Sequence, residues 1–566
     1  MRRRDLLAAA LGAGALTGCG RPAAEPGFDG GWLGASHQRG HALRDQRGHA
    51  LRDQHSHAPR DGAASDPVAG GPPRRVSVLI AGGGVAGLAA VRALQRAGID
   101  DFALLELEDE VGGNARGHRI GGIDCPLGAH YLPLPGAQAR ELGEWLHELG
   151  LARSELGRTV WDERYLAHAP QERLFVNGAQ GAQWIEGLLP LQDATPATLA
   201  ALRRFADEVD AARRTLAFSM PTLRSPWSAG LAALDAEPFA AWLDARGHRD
   251  PALRWYLDYC CRDDYGAGAH QVSAWAGLHY FASRHGFHAP GAQDDEQAHD
   301  AVLTWPEGNA WLTRRLAADI GAERLHTGRV VRRIAPGRHE VEVEAIAADG
   351  EPERWVAQRV IVALPLFIAA HLIDPLPPAL AAAAAHLRYA PWLVSNLHLR
   401  EPLLARAGVA PAWDNVLHAS PALGYVDARH QTLDPRPGPT VLTHYWALGG
   451  DSAAELAANR GALLQRSWQD WARAVLEDLG VAHADIARRV DRIDLMRYGH
   501  AMAIPTPGLR GDPALAALAA RDATSRLAFA HADLSAYSVF EEAFTRGTLA
   551  GEGVGRALAG AGRARR

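Results

Sequence analysis

The chain has 566 residues, 47% hydrophobic and 22% charged, with a formal net charge of −6. That length accommodates about two to four domains and a core that needs no staples. The slightly acidic balance argues against a nucleic-acid partner, and outside the N-terminus no apolar run reaches the roughly 18 residues of a membrane span.

The first element is Arg2-Arg3-Arg4-Asp5-Leu6-Leu7, followed by a short apolar run, Ala8 to Leu16, and Thr17-Gly18-Cys19. A charged start, a brief apolar stretch and small residues describe an export signal over 1–19, too short to span as a helix. The Arg-Arg-x-Leu-Leu arrangement resembles a twin-arginine signal, whose pathway exports folded proteins. Leu16-Thr17-Gly18-Cys19 resembles a bacterial lipobox, whose cysteine is acylated. Together they imply a periplasmic protein anchored to the membrane through Cys19; an ordinary secretory signal with a fortuitous cysteine is the alternative.

Residues 20–74 are rich in Gly, Ala, Pro, Arg, Asp and His. They contain a tandem octapeptide, Arg39 to Gln46 repeated as Arg47 to Gln54, with a degenerate third copy behind it. Polar repeats this short bury little core, so a flexible linker is expected. His41, His49, His55 and His57 leave divalent-metal binding as the other reading.

Order is expected from Arg75. Arg75 to Ala81 is a short β-branched and apolar run suited to a buried parallel strand. Gly82-Gly83-Gly84-Val85-Ala86-Gly87 follows, then a helical pattern from Leu88 to Ala97. Gly82 suits the tight turn, Gly84 a close approach of backbone to pyrophosphate, and Gly87 close helix–strand packing. The helix N-terminus offers free N–H groups to the phosphates. A second strand, Phe102 to Leu105, ends in Glu106, at the spacing of an acid that binds a ribose hydroxyl. These elements in this order predict an α/β fold with a Rossmann-type nucleotide-binding domain.

Leu105-Glu106-Leu107-Glu108-Asp109-Glu110-Val111-Gly112-Gly113-Asn114 resembles the second glycine signature of the flavin amine oxidase superfamily. That superfamily includes monoamine and polyamine oxidases, protoporphyrinogen oxidases and phytoene desaturases. Asn114 replaces its arginine, and Arg116 lies two residues on, placed to serve the diphosphate. The resemblance extends through Thr304 to Leu312, through Gly328 to Ile334, and through the strand Val360 to Pro365. It ends in Leu527 to Asp533, Phe540 to Ala543 and Gly547. It implies FAD as cofactor, with Gly82, Gly84, Gly87, Glu106, Gly112, Gly113 and Arg116 on the dinucleotide. It also implies the backbone of Val331 at the adenine, Asp533 (in place of Glu) at the ribityl chain, and Glu541 at the start of a last helix facing flavin N1 and O2.

On this resemblance, 75–150, 300–375 and 495–560 form the FAD domain, and the inserts 151–299 and 376–494 a discontinuous α+β substrate domain. The first insert reads as mostly helical, with Leu199, Leu202, Phe205 and Val209 at helical spacing. The second contains strand-like pieces at Trp392 to Leu397 and Thr440 to Trp446, predicting a mixed sheet with helices over one face.

Gly128-Ala129-His130-Tyr131 matches the segment that lies beside the flavin ring, making His130 and Tyr131 the first catalytic candidates. His130 is a candidate general base or hydrogen-bond donor, or a histidine that merely satisfies loop carbonyls. Tyr445 and His500 belong to segments expected to wall the cavity, as do Trp446 and Tyr498. Tyr256, Tyr259, Tyr265 and Trp275 of the helical insert are further candidates, and Val539 stands where monoamine oxidases carry a cage tyrosine.

Most amine oxidases of the superfamily keep a lysine near flavin N5, on the strand represented here by Val394 to Leu397. This sequence has no lysine; all 59 basic side chains are arginine. Asn396, His398 or another group would have to replace it. After Cys19, the remaining cysteines are Cys125, Cys260 and Cys261, which allow a disulfide between Cys125 and one of the vicinal pair without requiring it. No Cys or His spacing suggests structural zinc.

The leading expectation is an FAD oxidoreductase taking a hydride from a C–N bond of a small-molecule substrate, with oxygen or a quinone as acceptor. The rivals are a desaturase-like or protoporphyrinogen-oxidase-like enzyme acting on a C–C bond, and a non-catalytic flavin-binding scaffold.

Overall fold

A computed structural model describes residues 27–40, 71–179, 181–284, 286–290, 301–434, 436–520 and 525–564. The export signal, Cys19, and His41, His49, His55 and His57 lie outside the described residues.

Two sheets organise the chain. In the first, Arg74–Ala81 runs parallel between Phe102–Leu105 and Pro352–Val362. Leu325–His326 extends one edge, and Val341–Ile346 and Val330–Pro336 extend the other in antiparallel fashion. Leu527–Phe529 pairs parallel with Val360 to Val362, making seven strands. Val78, Leu79, Ile80 and Ala81 are all fully buried because helices or strands cover both faces, which is why this strand is continuously apolar.

Helix Val85–Arg96 packs on this sheet beside the C-terminal helix Phe540–Ala564. A Cβ on Gly547 would lie 2.1 Å from Ala86 O, and one on Gly551 2.5 Å from Ala90 O. The matched positions rise together, so the helices are parallel and glycines let them touch. Phe540 is seven residues before Gly547 whereas Val85 directly precedes Ala86. The C-terminal helix therefore starts about 9 Å beyond the other's N-terminus.

The second sheet has eight strands in the order Asp29–Leu33, Val490–Ala503, Tyr389–Leu399, Thr440–Ala447, Tyr425–Asp427, Asp414–Leu417, Glu172–Gly178 and Gly181–Glu186. Alternation along Tyr389–Leu399 sends Trp392 and Val394 to one core and Leu393, Leu397 and Leu399 to the other. Helices Pro196–Thr215, Phe239–Ala245, Pro251–Tyr265 and Ala274–Ala282 cover the first face. Ala453–Gln465 and Trp468–Gly480 cover the second. Helices thus lie on both faces, not one, because both sides of the central strands are apolar.

The structure differs from the sequence-based boundaries in two further places. Val490–Ala503 is a strand of the second sheet, so 495–503 does not sit with the nucleotide-binding strands. Residues 29–33, expected as linker, pair in parallel with Arg492 to Met496. Their side chains explain it: Leu33 packs on one core and Trp32 and Phe28 on the other, so even this glycine-rich piece buries apolar area. In the first insert, strands Ala152–Glu155, Arg158–Trp161, Glu172–Gly178 and Gly181–Glu186 precede the helices. Cys125, Cys260 and Cys261 are free and buried.

Candidate functional site

The two glycine segments meet at the carboxyl edge of the first sheet. Gly112 N–H donates to Gly83 O at 2.8 Å, and Gly84 and Gly112 form an isolated bridge. Gly82 has φ +103° and a Cβ there would lie 2.4 Å from Ala363 O, while one on Gly87 would lie 1.9 Å from Gly82 O. Both are therefore required by packing. Gly84 differs: its Cβ would meet only Gly113 Cα, at 3.8 Å, so its face is open. Gly112 and Gly113 have φ +124° and +59°, in the region that favours glycine. No side chain caps helix Val85–Arg96 and its first turn carries no acid, so its leading N–H groups and positive dipole end are free for an anion.

Glu106 sits buried at the end of its strand and accepts from Gly83 N–H at 2.7 Å and Glu108 N–H at 2.8 Å. Burial pushes its carboxyl above the ordinary range, against those N–H groups and Arg116. Arg329 N–H donates to Glu106 O at 2.7 Å, which holds Val331 close to this corner beside a bulge in its strand. Arg116, expected at the diphosphate, is engaged elsewhere. Its Nε donates to Gly113 O at 3.1 Å, and its other nitrogens pair with Glu108 at 3.2 Å, because a buried guanidinium needs a carboxylate.

Asp533 is fully buried. Its Oδ2 accepts from Leu366 N–H at 2.9 Å and the Tyr389 hydroxyl at 2.5 Å. His531 Nδ1 lies 3.1 Å from Oδ1, but that nitrogen already accepts from Asp533 N–H. Oδ1 is thereby left without a donor, as an isolated buried acceptor. Burial opposes the charge, yet the Tyr389 hydroxyl and the Leu366 N–H donate to the carboxyl and it stays below its ordinary range. Glu541 occupies the first turn of the C-terminal helix, where burial pushes it up to about 7.

Farther along, His130, Tyr131 and Tyr445 come together, joined by Trp413. The His130 ring stacks on Tyr445 at 4.4 Å between centroids and lies 4.9 Å from Tyr131 and 5.6 Å from Trp413. The Tyr445 hydroxyl donates to Gly128 O at 3.0 Å, fixing the loop that carries His130. Burial lowers the His130 pKa to about 3, so its imidazole is neutral. The Tyr131 hydroxyl donates to Asp263 at 3.4 Å. Burial and the neighbouring Asp264 raise Asp263 to about 7. Asp414, next to Trp413, shares a sheet face with Val416 of the same core. Burial, then Asp263 and Glu172, raise its carboxyl as well.

His500 is not part of this cluster. It is exposed and its ring stacks on Phe367 at 4.4 Å, because the strand carrying it bulges between Tyr498 and Met502. Trp413, Asp263 and Asp414 went unnoticed in the sequence, where nothing marks them apart from other aromatic and acidic residues. Neither proposed lysine substitute is free. The Asn396 amide donates to Pro126 O at 3.1 Å and accepts from Thr443 at 2.7 Å, and His398 pairs with Asp491 at 2.6 Å.

The family signature of flavin-containing amine oxidoreductases matches residues 85–553. The chain belongs to that family. Its members' signature thus runs through both sheets of this amine oxidoreductase from helix Val85–Arg96 onward, and FAD is its cofactor. The cradle fits that group: an uncapped helix with an open Gly84 for the pyrophosphate, Glu106 for a ribose, an unpaired Asp533 Oδ1 for a ribityl hydroxyl, and a second helix start about 9 Å farther on for the ring.

A 66-residue stretch is 39% identical to Polyamine oxidase 7 of Oryza sativa subsp. japonica, covering 12% of this chain and 13% of the rice protein. Among solved structures, a redesigned putrescine oxidase superposes with TM-score 0.62 at 19% identity, covering 86% of this chain and 100% of its own. Cyclohexylamine oxidase from Brevibacterium oxydans gives 0.59 at 18%, covering 86% and 99%. A fatty acid isomerase from P. acnes gives 0.57 at 15%, covering 84% and 97%. At these identities the likeness is one of fold.

Proposed function

We propose that this amine oxidoreductase oxidises small-molecule amines, removing a hydride from the carbon that bears nitrogen and leaving an imine that water hydrolyses. The observation that carries this reading is the box of His130, Tyr131, Trp413 and Tyr445 beside Gly128, with the imidazole held neutral. Aromatic faces attract an ammonium group, whereas an imidazolium would repel it. Once an amine is seated, the box orients it and keeps bulk water away from the reacting carbon. Bound FAD supplies the hydride acceptor. The names of the putrescine and cyclohexylamine oxidases support amines as the substrate class. Electrons then pass to oxygen or a quinone, and peroxide release during turnover marks the first.

Anaerobic titration of the yellow protein with primary amines and polyamines tests the reading. Bleaching of the long-wavelength flavin band by one amine class supports it. A yellow protein that no amine bleaches overturns it in favour of dehydrogenation at a C–C bond. One observation favours that second reading: Trp392 and Val394, without a cation, stand on the face of their strand that packs with Tyr445.

We also propose export in folded form and anchoring to the periplasmic face of a membrane through acylated Cys19, resting on Arg3-Arg4 and Leu16 to Cys19. Cys19→Ala should move the protein to the soluble fraction; retention in the membrane would sink the anchor.

A further inference from the structure

Residues 27–40 tie the second sheet to the adenosine corner of the cofactor cradle. After the strand Asp29–Leu33 the chain turns at Gly34, with φ +80°. Ala35 N–H then donates to Glu108 Oε2 at 2.8 Å and Ser36 N–H to Oε1 at 2.9 Å. Arg116 approaches both of these oxygens at 3.2 Å, so the buried Glu108 carboxylate is saturated. Arg39 adds a bond to Leu107 O at 2.6 Å and a pair with Asp109 at 2.7 Å. The segment is held from behind as well: Arg497 lies over the Trp32 ring at 4.4 Å and bonds His37 at 2.9 Å.

Glu108 in turn touches every part of the corner. Its N–H orients the Glu106 carboxylate, its carbonyl accepts from Gly328 N–H at 2.8 Å, and through Arg116 it reaches Gly113 O. Glu106, the segment before Val331, and the second glycine pair are the three groups that the family resemblance assigns to the ribose, adenine and diphosphate. All three meet at one residue, the first two through its backbone and the third through its side chain, and Arg116 and the N-terminal segment together hold that side chain in place. We propose that Glu108 is a positioning residue for the adenosine half of FAD, and that residues 27–40 are the fastener through which it works. The segment therefore belongs to the cofactor site and is no part of a tether. A carboxylate that accepts from two N–H groups and a guanidinium holds its shape because removing any donor leaves a buried charge short of partners.

The test uses the full chain, stripped of flavin and reloaded with either FAD or FMN, which lacks the adenosine half. Glu108→Gln should weaken FAD about tenfold and leave FMN binding unchanged. Arg39→Ala, at a half-buried position, should shift FAD the same way by a smaller factor. Equal weakening of FAD and FMN would mean general loosening of the fold and overturn the proposal, as would wild-type affinity for both. If Glu108→Gln does not fold, the FAD-to-FMN ratio of Arg39→Ala decides.

Discussion

The His130 imidazole and the Tyr445 ring are stacked, 4.4 Å apart and 23° from parallel, although 315 positions of sequence separate residue 130 from residue 445. The Tyr445 hydroxyl also reaches back to Gly128 O, so one tyrosine both faces the imidazole and holds its loop. Tyr445→Phe keeps the stack and removes that bond. The expected result is a yellow, folded protein whose kcat/KM for an amine falls about fivefold, the worth of roughly 1 kcal/mol. Steady-state kinetics on a substrate that bleaches the wild type would check it; an unchanged kcat/KM would show that the loop needs no such tie.

Gly84 has room for a side chain in the protein but not, on this reading, beside a bound pyrophosphate. Gly84→Val should fold with an unaltered far-UV circular dichroism spectrum and purify colourless. A full flavin spectrum in this variant would move the cofactor away from the glycine ridge.

Asp263 titrates near 7 in the folded protein because burial and then Asp264 raise it, against an ordinary value near 4. Between those two values the folded state keeps a proton that the unfolded chain has released. Its contribution to stability is thus complete at low pH and lost as pH rises through about 7, by roughly 1 kcal/mol per pH unit across that window. Asp263→Asn should abolish this slope, so denaturant unfolding at pH 5 and pH 8 should show the variant gaining on the wild type at the higher pH. Equal differences at both pH values would refute the raised titration.

Asp533 joins the start of helix Leu366–Leu372 to Tyr389 in the interior. Asp533→Ala leaves a buried N–H and a buried hydroxyl without their acceptor. A loss of about 2–4 kcal/mol in unfolding free energy is expected, together with weaker flavin retention. Denaturant unfolding followed by tryptophan fluorescence measures the first, and a loss under about 1 kcal/mol would mean that water or a neighbour replaces the carboxylate.

The nucleotide cradle was legible in the sequence because its information is local. Gly82, Gly84 and Gly87 are set by one turn and one helix start, and Glu106 by the length of a single strand–helix–strand unit. Helix Pro196–Thr215 was legible for the same reason, since Leu202, Phe205 and Val209 mark one buried stripe. The Asp29–Leu33 strand was not, because two glycines hide its pattern and only its distant partner at Arg492 to Met496 gives it a ladder.

What the sequence by itself determined is therefore the class of fold, through the short spacings of a dinucleotide-binding turn, with FAD implied by the resemblance of Leu105 to Asn114 to the flavin amine oxidase signature. Tertiary structure decided the grouping of the proposed substrate site, adding Asp263 and Trp413 to the His130, Tyr131 and Tyr445 that the sequence had offered. It drew Tyr131, Asp263, Trp413 and Tyr445 from four distant segments, set His500 apart against Phe367, and spent Arg116 on Glu108. Such groupings depend on which strands pair and in what register, and a one-residue shift of register turns every side chain to the opposite face.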